Sequence, residues 1–89
     1  MESRMIIVSG RVQGVGFRYS TKVIADRLNI TGYAANVRDY VEILATGSEA
    51  DLDEFVRQVA EGASPASNVD DYSVKTIPLE DGYDRFVTK

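Results

Sequence analysis

The chain has 89 residues, 44% of them hydrophobic, and a net charge of −4, which suits one small core and leaves no room for a second domain. It has neither cysteine nor histidine, which excludes disulfides, thiol nucleophiles, Ser–His and Cys–His pairs and the usual zinc ligands, so only carboxylates could hold a metal. The acidic balance argues against non-specific nucleic-acid binding, and no apolar stretch approaches the roughly 18 residues that suggest a membrane span.

Met1-Glu2-Ser3-Arg4 places an acid where a signal peptide needs bases, so the expectation is a cytoplasmic protein, and nothing in the chain suggests more than a monomer. Residues 4–9 then form a nearly continuous apolar run, Met5-Ile6-Ile7-Val8, which predicts a central strand. The run passes into Gly10-Arg11-Val12-Gln13-Gly14-Val15-Gly16-Phe17-Arg18, where three of the seven glycines fall close together. Residues 18–28 read as a helix, with Tyr19 and Val23, then Ile24 and Leu28, at i, i+4 spacing and Lys22, Asp26 and Arg27 mostly toward water. Asn29 stands where that helix stops, and Asn tolerates the left-handed conformation of a C-terminal cap.

Residues 31–37 and 40–46 predict the second and third strands, the latter alternating Val41, Ile43 and Ala45 on one face. Only Arg38-Asp39 separates them, a tight hairpin without the Gly that a type I′ turn favours. Ser48 is an N-cap with Asp51 three residues on, and Leu52, Phe55, Val56, Val59 and Ala60 form the strongest helical stripe, ended by Gly62. A loop over residues 63–68 precedes a fourth strand at 69–77, and residues 84–88 read as a short last strand at an edge. The order β-α-β-β-α-β plus a short terminal strand predicts an α+β fold, a ferredoxin-like α/β sandwich with an antiparallel sheet and two helices on one face. Residues 1–89 form that single domain.

The glycine segment has two readings, a tight strand-to-helix connection or an anion cradle. Backbone entering a helix leaves N–H groups without partners at the positive end of the helix dipole. The spacing Gly-x3-Gly-x-Gly is neither the dinucleotide fingerprint nor a P-loop. Arg18 favours the cradle, because a cation at a helix start opposes the dipole unless an anion joins it. Residues 1–38 carry six bases against two acids, and the remainder four bases against twelve acids, a pattern that suits a small anion better than a polyanion.

Asn36, near the end of the second strand, is either a turn-former or a polar partner of the loop. In this topology the first two strands run parallel with the third between them, so their C-terminal ends share one edge. An Asn side chain suits positioning a water rather than deprotonating it. The acidic clusters read as solvated surface; without a Gly-centred calcium loop, no metal site is expected.

These residues resemble those of a known family. Val8-x-Gly10-Arg11-Val12-Gln13-Gly14-Val15-Gly16-Phe17-Arg18 resembles the first signature of the acylphosphatases, and Gly32-Tyr33-Ala34-Ala35-Asn36 with Val41 and Gly47 resembles the second. The similarity runs through essentially the whole chain, but the hairpin after Asn36 is one residue shorter than the family pattern and lacks its Gly. The resemblance implies hydrolysis of the carboxyl–phosphate bond in a small-molecule acyl phosphate, releasing a carboxylate and inorganic phosphate. It implies Arg18 as the phosphate-binding arginine, Asn36 as the water-orienting residue, and the backbone N–H groups of Val12, Gln13, Gly14, Val15, Gly16 and Phe17 as the phosphate loop. It implies no metal and no organic cofactor. A carboxylate leaves without a general acid, so such a site is complete without His or Cys. Two other readings stand beside it: a non-catalytic phosphate-binding regulatory module, and a detached N-terminal domain of the larger carbamoyl-transfer proteins of hydrogenase maturation. The stand-alone length and the absence of zinc-finger cysteines count against the latter.

Overall fold

Apolar alternation in the first strand organises the sheet. A computed structural model describes residues 1–89, with β1 (Glu2–Arg11), α1 (Phe17–Arg27), β2 (Thr31–Val37), β3 (Tyr40–Gly47), α2 (Glu49–Ala60), β4 (Asn68–Ile77) and β5 (Phe86–Thr88). The strands lie in the order β4-β1-β3-β2-β5. Ile6 and Val8 of β1 stand opposite Ile43 and Val41 of β3, and both pairs are buried beneath the helices. From above, α1 contributes Phe17 and Ile24, and α2 contributes Leu52, Phe55 and Val59. Phe55 meets Phe86 of β5 edge-on, with ring centroids 6.0 Å apart. Each such side chain contributes roughly 1.5–3 kcal/mol on burial.

Four strands pair antiparallel as the sequence predicts, whereas β5 pairs parallel to β2, with Gly32 opposite Phe86 and Ala34 opposite Thr88. The sheet is therefore mixed. The chain leaves β4 at the end where β1 and β2 begin, so a strand returning from there must run in their direction. The consequence matters for the site: β1, β2 and β5 all finish at one edge of the sheet.

The punctuation also follows local chemistry. Asn29 takes φ 56, and the Ile30 N–H reaches back to the Ala25 carbonyl at 2.9 Å, closing α1 as a Schellman-type cap. Ser48 caps α2 by accepting the Asp51 N–H at 3.2 Å. In the two-residue hairpin, Arg38 has φ 56 and Asp39 does not share the positive angle, so the turn is not type I′. Gly10 occupies a register shift between β1 and β4 with φ 123, where a Cβ would lie 2.4 Å from the Asn68 carbonyl oxygen.

On the helix-free face, the Tyr33 hydroxyl donates to Glu42 Oε2 at 2.6 Å, and the Tyr33 ring lies 5.7 Å from that of Tyr83. Burial, helped by the Glu42 carboxylate, pushes the Tyr33 phenol up to about 12.

Two outcomes follow from these contacts. Gly10→Ala must force the β1–β4 bulge apart and is expected to cost about 3 kcal/mol in urea unfolding. Tyr33 holds its proton more tightly folded than unfolded, so its contribution to stability is complete below an unfolded pKa of about 10 and is lost as pH rises through about 12. An ultraviolet titration should show one tyrosine ionising near pH 12, and Glu42→Gln should lower that midpoint only part of the way, because burial remains.

Candidate active site

Where β1 ends, the backbone turns in a way that leaves a long row of donors without acceptors. The Val12 N–H is engaged by the Gly10 carbonyl at 3.0 Å, and the Val12 side chain is buried in the core. Val12 is thus not among the free donors, contrary to expectation. From Gln13 through Tyr19, no main-chain N–H has an acceptor within the protein; Ser20 is the first to bond, to the Gly16 carbonyl at 3.0 Å. Gly16 caps α1 with φ 77 and no side-chain hydrogen bond, and the first turn of the helix holds no acid. The positive end of the α1 dipole is therefore uncompensated.

Gly14 and Gly16 both carry positive φ, and a Cβ at either would meet nothing within 4 Å. They are needed for backbone conformation, and the space beside them is open. That space is a cavity of about 180 Å³ lined by Val12, Gly14, Gly16, Phe17, Arg18, Tyr19 and Thr88. The glycines make the turn that connects strand to helix, and the amides of that turn from Gln13 onward have no acceptor within the protein.

Arg18 is half-buried, and its Nη1 donates to the main-chain oxygen of Lys89. Lys89 is itself pinned. Its N–H donates to the Ala34 carbonyl at 2.8 Å, its Nζ donates to the Tyr83 hydroxyl at 2.8 Å, and Nζ lies 4.1 Å over the Tyr33 ring. The guanidinium is anchored through one nitrogen, and its other donors have no partner in the protein. Lys22, one turn further along α1, pairs with Asp26 at 2.7 Å and is neutralised there.

Asn36 stands opposite Val41 of β3, which stands opposite Val8 of β1, so the three form one row on the helix-covered face. Its side chain is exposed and makes no hydrogen bond, and it lies outside the lining of the cavity. The fold thus gathers Gly14, Gly16, Phe17 and Arg18 around one cavity, with Asn36 at the same sheet edge.

Two side chains hold the loop in shape. Ser64, 7% exposed in the α2–β4 connection, donates its Oγ hydrogen to the Val15 carbonyl at 2.9 Å. In a trans peptide the C=O and the following N–H point in opposite directions, so this bond turns the Gly16 N–H away from Ser64. Sequence reasoning treats Ser64 only as part of a loop, and no local pattern signals so distant a partner. Gln13, expected only as a backbone donor, also extends its side-chain amide to the carbonyls of Arg38 at 2.8 Å and Tyr40 at 3.0 Å. No group of three or more acidic side chains comes together to hold a metal ion.

Comparison with known proteins agrees with this architecture. A family model described as acylphosphatase matches residues 4–88. The acylphosphatase of Staphylococcus aureus (strain Newman) is 56% identical over 72 residues, covering 81% of each chain. The crystal structure of acylphosphatase from Bacillus subtilis superposes with a TM-score of 0.94 at 46% identity, covering 100% of this chain and 99% of that one. Full-length HypF in a phosphate- and nucleotide-bound form superposes with a TM-score of 0.91 at 31% identity, but the match covers only 12% of HypF. A family match across nearly every residue, a relative 56% identical over most of its length and a close superposition on a solved acylphosphatase lead to one conclusion: the chain belongs to the acylphosphatase family.

Proposed function

We infer that this chain hydrolyses acyl phosphates by holding the phosphoryl group on Arg18 and the free loop amides, with Asn36 orienting the attacking water and no metal taking part. The observation that carries the reading is the unbroken run of unpartnered main-chain N–H groups beginning at Gln13, beside an arginine with free donors. Phosphoryl oxygens on the amides of Gln13, Gly14, Val15, Gly16 and Phe17 would give those donors the acceptors they lack. The Arg18 fork adds charge-assisted hydrogen bonds to the same group.

Phosphoryl transfer asks little covalent chemistry of a protein, and stabilising the charge on the transferring oxygens supplies most of the effect. The leaving group is a carboxylate whose conjugate acid has a pKa of about 4, so it departs without a proton from the enzyme. Water attacks phosphorus in line with the breaking bond, and the products are the carboxylate and inorganic phosphate. Asn36 has a donor and an acceptor but no titratable proton, which fits orienting that water. The same reading takes the protein as a cytoplasmic monomer acting on a small molecule, since the acidic remainder of the chain repels polyanions.

Purified protein should hydrolyse a model acyl phosphate in the presence of a chelator. Arg18→Ala and Asn36→Ala should each lower kcat by about 10²–10³-fold while circular dichroism shows an intact fold. Full activity in Arg18→Ala overturns the assignment. Phosphate binding without hydrolysis by the wild type would instead select a non-catalytic anion-binding module.

A further inference from the structure

The proposed site has two halves on different elements, the loop between β1 and α1 and the β2–β3 hairpin, and hydrolysis requires a fixed spacing between them. Gln13 touches both. Its main-chain N–H begins the run of free donors, and its side-chain Nε2 donates to the carbonyls of Arg38 and Tyr40 at 2.8 and 3.0 Å. Both neighbours are acceptors, so the amide can face them only through its nitrogen. No other side-chain hydrogen bond joins residues 12–17 to residues 36–41.

The hairpin has reason to need such a hold. It turns in two residues, and Arg38 takes φ 56 without being glycine, asparagine or aspartate. Backbone held in a sparsely populated region persists when its surroundings over-determine it, and the Gln13 amide bonds carbonyls on both sides of Asp39. Asn36 lies only two residues before Arg38 and is paired with Val41, so a shift of the turn carries Asn36 with it.

We propose that Gln13 is a positioning residue whose side chain locks the β2–β3 hairpin to the phosphate loop and thereby sets the distance from the bound phosphoryl group to the water at Asn36. This rests on the function inferred above, and it assigns the Gln13 side chain a role separate from its backbone amide. Two variants isolate that role: Gln13→Leu keeps the bulk without donors, and Gln13→Glu keeps the length but turns a carboxylate toward two carbonyls. In both, kcat on a model acyl phosphate should fall about 10- to 100-fold. In Gln13→Leu, which adds no charge, inhibition by inorganic phosphate should change less than about threefold, because Arg18 and the main-chain donors are intact. The side-chain amide resonance of Asn36 in a ¹⁵N spectrum should move in both variants. Gln13 is only partly buried, and a denaturation curve checks that each variant folds.

An unchanged kcat overturns the proposal. So does loss of phosphate affinity in parallel with kcat in Gln13→Leu, which would confine Gln13 to shaping the cradle. A wild type without hydrolysis would remove the inferred function instead, and the Asn36 resonance would then decide the link by itself: movement supports it, and an unmoved signal overturns it.

Discussion

Backbone donors that cannot be satisfied from within govern this molecule. An N–H group without an acceptor in the protein is left to water or to a bound anion, and this chain lines up such groups without interruption from Gln13 to Tyr19. Ordinary helix starts leave four. Here the preceding loop adds its own, because Gly14 and Gly16 at positive φ keep the chain from folding back on itself. The rest of the fold serves to maintain that condition. Ser64 holds the Val15 carbonyl from one side, Gln13 reaches the hairpin on the other, and the core residues Val12 and Phe17 bracket the loop.

Topology supplies the neighbours. Because β1, β2 and β5 run in one direction, the glycine loop, Asn36 and Thr88 all arrive at one sheet edge. The parallel β5 is thus part of the site's construction. It carries the chain to Lys89, whose main-chain oxygen receives Arg18 and whose amine rests against Tyr33 and Tyr83. A guanidinium fixed at one nitrogen loses less freedom when an anion binds the others. With neither His nor Cys in the chain, the groups beside this cavity that can stabilise negative charge are the Arg18 guanidinium and the free amides, and the inferred reaction asks for no more, because its leaving group departs without a proton.

Much of this was legible in the sequence because it depends on local periodicity and local punctuation. The alternation of Val41, Ile43 and Ala45, the stripe from Leu52 to Ala60, the Ser48 cap and the left-handed Asn29 each follow from a few adjacent residues. The glycine loop and Arg18 stand next to one another in the chain, and the structure sets Gly14, Gly16 and Arg18 beside one cavity. What escaped depends on contacts distant in sequence or on backbone direction. Ser64 meets Val15 through the tertiary fold alone, and the direction of β5 depends on where β4 releases the chain. The Val12 amide is taken by Gly10 through a tight turn that residue types do not announce. The shortened hairpin was visible as a missing residue, but its tie to Gln13 emerged only in three dimensions.

The central claim is that the free amides after β1 form an anion cradle, and titrating inorganic phosphate while following backbone amides by ¹⁵N NMR tests it most directly. Saturable downfield shifts concentrated in residues 13–19, with Val12 and Ser20 little affected, are the predicted result. Shifts centred elsewhere, or no saturable shift in that segment, would contradict it.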